Sequence, residues 1–299
     1  MDSVDHQSGT RPADASASSF LAWTEYGATD GRPVIFLHGW PSSRLLGQVW
    51  EETARRRGWR VLTPDRPGIG RSPSWPNGSF NEWPAVLERF LDERGISQCP
   101  VIGLSGGGPY ALASAVHRPS RVSAVAVISG APPLDDPADH ALILKEFRML
   151  AAIERSAAPL MRWGFRCVAP VLRRADVPWM RRLLMTFGHS PDEAFLASQA
   201  STVTLTAGLE AWRGGGAGVL NEGRLYLQAW GFRPEDIARP VAFWHGGRDP
   251  FFHPSLAEKL SRRVAGAVFH LVPGEGHFTP VYVVQEAVFD WLEQAKASS

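Results

Sequence analysis

Ser105 stands in Gly103-Leu104-Ser105-Gly106-Gly107, the G-x-S-x-G spacing that puts a serine at the tip of a tight strand-to-helix turn. The β-branched pair Val101-Ile102 leads in, and the alanine-rich stretch Pro109 to His117 follows without a loop. Glycine at 103 and 107 leaves room where such a turn crowds its own backbone. Pro109 suits a helix's first turn, where a missing N–H costs least. The turn exposes the serine hydroxyl and aims the positive end of a helix at it. The glycines do not form G-x-G-x-x-G, and G-x-x-x-x-G-K-[ST] is absent, so neither phosphate cradle has its spacing. The chemistry indicated is nucleophilic attack by Ser105.

A serine is a weak nucleophile unless a base, an orienting carboxylate and oxyanion donors surround it. The expected base is His277, in the glycine-rich Gly274-Glu275-Gly276-His277-Phe278; His253 is the second choice. His270 lies within an expected strand and is read as structural, and His245 as a loop histidine. The expected carboxylate is Asp249, in Gly247-Arg248-Asp249-Pro250, which keeps the chain order Ser, Asp, His. Asp135 or Asp136 is the alternative. The oxyanion donors are expected to be the backbone N–H groups of Gly106 and Trp40, because Pro41 has none to offer.

These residues need elements to hold them. Strands are expected at Phe20–Tyr26, Pro33–Leu37, Arg60–Pro64, Cys99–Ile102, Val122–Ser129, Pro240–Trp244 and Val268–Val272. Pro33–Leu37 is an unbroken apolar run, typical of a central parallel strand covered on both faces. Helices are expected at Leu46–Arg57, Trp83–Arg94, Pro109–His117, Pro254–Val264 and Val284–Ala297. The alternation fails between about Ala131 and Glu235, where helical periods and many arginines replace strands. The expected division is a disordered tail over 1–18, an α/β core over 19–132 and 236–299, and a helical cap over 133–235.

At 299 residues, 44% apolar and 20% charged, the chain suits one large globular domain with an insertion. A net charge of +1 gives no overall drive toward nucleic acid. Two cysteines, Cys99 and Cys167, make no disulfide framework and are expected to be reduced. No apolar leader or spanning run is evident, so the expectation is a cytoplasmic protein without integral membrane association. No zinc spacing occurs, and no metal or other cofactor is expected.

Five pieces in order, His38-Gly39-Trp40-Pro41, Asp65 to Ser72, Gly103 to Gly107, Gly247-Arg248-Asp249 and Gly276-His277, resemble the alpha/beta-hydrolase superfamily. The resemblance runs from about Phe20 to the C-terminus. It implies a mostly parallel eight-stranded sheet flanked by helices, with a helical cap inserted after the sixth strand. It resembles the serine branches, esterases and lipases among them, and departs from epoxide hydrolases and haloalkane dehalogenases, which carry aspartate at the nucleophile position.

The implied activity is a cofactor-free serine hydrolase acting on small carboxylic esters. The alternatives are carbon–carbon or amide hydrolysis by the same triad, or a ligand sensor with little turnover. The substrate expected is a small hydrophobic ester, contacted by His38, Leu104, Trp163 and Phe278; a homodimer is left open. Between Phe147 and Phe187 apolar residues interleave with arginines. The ordinary reading packs the apolar faces on the core with arginines in solvent. The functional readings make one face a pocket roof, or let the arginines attract an anionic substrate or a membrane surface. The glycine run at Trp212–Gly218 is read as a candidate lid hinge.

Overall fold

The apolar runs form the middle of one sheet. The computed structural model describes residues 20–75, 78–134, 136–186 and 192–297; the expected tail, Asp135 and Phe187 lie outside them. Its strands are β1 (Trp23–Gly27), β2 (Arg32–Leu37), β3 (Trp59–Pro64), β4 (Cys99–Leu104), β5 (Val122–Ile128), β6 (Val241–Gly246) and β7 (Val268–Val272). Their order in space is β1-β3-β2-β4-β5-β6-β7. β1 runs antiparallel to β3 and every other neighbouring pair is parallel. Against the eight strands expected, the described residues hold seven, and the helical segment follows the fifth. Only Phe20–Ala22 precede β1 among the described residues, too few for a further strand.

Alternation along β2 shows how both faces are buried. Ile35 and Leu37 join a core with α2 (Trp83–Asp92), α3 (Gly107–His117) and α9 (Pro254–Arg262). Val34 and Phe36 join the opposite core, with α1 (Glu51–Arg57) and α11 (Gln285–Ala297). The single helix expected from Leu46 begins instead as a 3-10 helix over Arg44–Trp50 before continuing as α1. The first helix packs closely on the sheet: a Cβ on Gly47 would overlap Thr63 and Tyr26.

Between β5 and β6 the described residues form helices and no strand, as expected. These are α4 (Lys145–Leu172), α5 (Val177–Thr186), α6 (Glu193–Ala197), α7 (Thr202–Glu210) and α8 (Gly216–Leu225); α10 (Pro280–Val283) precedes α11. α4 is kinked at Ala157 (φ −145°, ψ 47°), two residues before Pro159, which has no N–H to donate and whose ring clashes with the carbonyl four residues back.

The chain passes from β2 outward to β3 and then crosses back to β4, so β2 and β4 are neighbours with diverging connections. The crevice beyond their carboxyl ends is where open α/β sheets bind ligands. His38–Pro41 follow β2 there, and Ser105 follows β4.

Candidate active site

Ser105 adopts φ +50°, a left-handed conformation that costs a non-glycine residue about 1–3 kcal/mol and persists only where its surroundings impose it. They do so here. Its N–H donates to Ile128 O at 2.8 Å, and its carbonyl accepts from Gly108 N at 2.9 Å and Ala131 N at 3.0 Å. A Cβ on Gly103 would stand 2.6 Å from Gly107 O, and one on Gly107 would overlap Leu37 O.

The hydroxyl meets the expected partners. Ser105 Oγ lies 2.9 Å from His277 Nε2, and His277 Nδ1 lies 2.7 Å from Asp249 Oδ2. An ionised Asp249 accepts the Nδ1 proton, which leaves Nε2 free to accept from the serine. Asp249 Oδ1 accepts the backbone N–H groups of Phe251 at 2.8 Å and Phe252 at 3.1 Å. All three side chains are buried.

Burial alone would raise the Asp249 carboxyl. The charge of His277 and hydrogen bonds from His245 and His277 outweigh it, holding Asp249 well below the usual carboxylate range. Burial alone would lower His277, but the charge and hydrogen bond of Asp249, with a further contribution from Asp192, raise it.

The N–H groups of Gly106 and Trp40 are engaged by no carbonyl or carboxylate among the described residues. The Trp40 loop is held from below. Arg66, fully enclosed, donates to His38 O and, at 2.9 Å, to Gly39 O, while its Nε meets the buried Glu222. It is held from the side by α8, where Trp40 Nε1 donates to Val219 O at 2.8 Å. Tyr226, the residue that caps the C-terminal end of α8, donates to Gly106 O at 3.0 Å. The Asp65–Ser72 loop that carries Arg66 is tied by Asp65, which accepts from Arg44 N at 2.6 Å and Arg71 N at 3.0 Å.

Ser105 and His277 open on a cavity of about 340 Å³ whose walls are mainly apolar, from Leu104, Phe147, Leu150, Met161, Phe165 and Phe278. Ser42, Thr204 and the Glu154–Arg224 pair add polar atoms. Of the four residues expected to touch substrate, Leu104 and Phe278 line it and two do not. His38 is fully buried beneath the loop, its Nδ1 donating to Gly39 O at 2.9 Å; burial and the nearby Arg66 charge hold it well below the usual histidine value. Trp163 is 64% exposed, because Met161 and Phe165 turn α4 inward and the residue between them must point out.

The alternatives have other tasks. Asp136 caps a 3-10 helix through Ala138 N and pairs with Lys259. His253 is exposed and caps α9 through Ser255 N. His245, read as a loop residue, lies within β6 instead; its Nε2 donates to Phe252 O at 2.9 Å and lies 3.1 Å from Asp249 Oδ2. Asp192 was not anticipated: it accepts the N–H groups of His277 at 2.8 Å and Phe278 at 3.2 Å. Of the glycine run, Gly216 and Gly218 open α8 and allow close approach, since a Cβ on Gly216 would overlap Phe165 O and one on Gly218 would overlap Gly68 O. Among the described residues no three His, Cys, Asp or Glu side chains are placed to hold a metal ion, and no helix is long and apolar enough to cross a membrane.

Residues 32–281 match the family described as alpha/beta hydrolase fold, and the chain belongs to that family. It is 25% identical over 255 residues to the mouse sn-1-specific diacylglycerol lipase ABHD11, covering 82% of this chain and 75% of that one. A non-heme chloroperoxidase of Streptomyces lividans is 34% identical over 122 residues, covering 38% of this chain and 42% of that protein. A thermophilic esterase from Thermogutta terrifontis has the same fold, with a TM-score of 0.64 and 19% identity over 95% of this chain and 99% of that one.

Proposed function

We propose that the chain is a serine hydrolase that cleaves small carboxylic esters through an acyl-enzyme on Ser105. The observation that carries this is the hydrogen-bonded line Asp249–His277–Ser105 opening on an apolar cavity. Relatives named as an esterase and a diacylglycerol lipase support the same chemistry.

In this reading His277 Nε2 takes the Ser105 proton as Oγ attacks the ester carbonyl. Asp249 keeps the ring in the required tautomer and offsets the imidazolium charge. The N–H groups of Gly106 and Trp40 receive the tetrahedral oxyanion, each donor worth roughly 3–4 kcal/mol in the transition state. His277 then protonates the leaving alcohol, and water activated by the same nitrogen releases the acid. The helices between β5 and β6 act as a cap whose inner face receives the hydrophobic part of the ester.

The test is hydrolysis of p-nitrophenyl esters of graded chain length by the native chain and by Ser105→Ala. Loss of about 10⁶-fold in kcat supports the reading. Turnover that survives in Ser105→Ala sinks it, and saturable ligand binding with sub-stoichiometric turnover points to a sensor.

A further inference from the structure

The outer face of the helices over the cavity is unlike the rest of the surface. Among the described residues eleven large hydrophobic side chains are exposed, and eight of them fall between Leu142 and Met185. Residues 145–186 also carry nine basic side chains against three acidic, a net of +6 in a chain whose total is +1.

The two features are ordered along α4. Met161, Phe165, Ala169 and Leu172, at spacings of four, four and three, face inward: Met161 is buried against the cavity, and the other three pack with Ile69 and Trp212. Leu160, Trp163, Cys167 and Val171, at spacings of three, four and four, form a second apolar stripe in solvent. Arg162, Arg166 and Arg173 form an exposed ridge beside that stripe and have no ionic partner among the described residues. An ordinary amphipathic helix buries its one apolar face and shows a polar one. This helix has an apolar face left over, edged with arginine.

We propose that this face docks peripherally on an anionic lipid surface, with Leu160 and Trp163 at the headgroup boundary and the arginine ridge on lipid phosphates. Tryptophan and leucine beside a basic ridge are the composition of interfacial helices. Tryptophan suits the headgroup level, where one edge of the ring is wet and the other apolar. A second copy of the chain is the competing occupant, and charge disfavours it. A two-fold interface sets the same patch against itself, here a net of +6 against +6. An anionic bilayer answers both the charge and the apolar stripe. The inference goes beyond the esterase reading and does not depend on it.

The test is flotation of the full chain with vesicles of pure phosphatidylcholine and of equimolar phosphatidylcholine and phosphatidylglycerol. The chain should float with the anionic vesicles, stay behind with the neutral ones, and be released by added salt. The triple variant Arg162→Glu, Arg166→Glu, Arg173→Glu should weaken partitioning about 100-fold or more, and Trp163→Glu should also lower it. These side chains are exposed, so the variants should keep the native thermal melt. Absence of binding to anionic vesicles overturns the proposal, as does equal binding to both compositions that ignores the triple variant. A dimer that Trp163→Glu dissociates, without lipid binding, assigns the face to self-association instead.

Discussion

Asp192 accepts the backbone N–H of His277 at 2.8 Å and of Phe278 at 3.2 Å, so a carboxylate from the helical segment seats the loop that carries His277. The seat is close, because a Cβ on the preceding residue, Gly276, would overlap that carboxylate. The helical segment and the His277 loop are thereby joined by two hydrogen bonds.

Asp192→Ala leaves two buried N–H groups unpaired, at about 1–3 kcal/mol each. The expected outcome is a lower thermal melting point and a kcat that falls more than KM rises. Asp192→Asn keeps an acceptor oxygen and should recover part of both. A kcat unchanged in Asp192→Ala would show that His277 is seated without it.

His277 must be neutral to accept the serine proton, and its folded pKa is raised above the ordinary 6.5. Activity therefore falls as pH drops through a value above 6.5, which places the acid limb of kcat/KM there. Removing the Asp192 charge takes away one raising influence, so Asp192→Asn should move that limb to lower pH. A limb below 6.5 in the native chain would contradict the assignment of His277 as base.

Arg66 and Glu222 form an ion pair whose side chains are both almost wholly buried. Arg66→Met strands the carboxylate, and urea unfolding should show a loss of about 3–5 kcal/mol. Adding Glu222→Met should restore most of that stability. It should not restore kcat, because the guanidinium that holds His38 O and Gly39 O is still missing.

Gly208, on α7, borders the cavity, and a Cβ there would meet only Pro41 O, at 3.7 Å. Gly208→Leu should fill part of the roughly 340 Å³ and shift the preferred ester toward shorter chains. A preference profile identical to that of the native chain would show that the acyl group lies elsewhere.

Much of this was legible in the residues. The central strands are largely apolar, and Ser105, His277 and Asp249 each follow a strand, in short loops with glycine where the backbone crowds. Trp163 was misplaced because α4 is apolar on both faces, so periodicity alone cannot say which face meets the core. His38 was misplaced because adjacency to Trp40 says nothing of ring direction; Arg66 and the Gly39 carbonyl turn it under the loop. Asp192 bears on a backbone N–H 85 residues away and has no local pattern to mark it. Tyr226 and Glu222 act through contacts with Gly106 and Arg66 that exist only once α8 has packed.

Labelling the chain with a fluorophosphonate and mapping the modified residue, with Ser105→Ala as control, tests the central claim most directly. Stoichiometric modification at Ser105, absent in Ser105→Ala and suppressed as pH falls through the His277 limb, is the expected result. A folded chain that takes no label, or takes it at another residue, would contradict an activated Ser105.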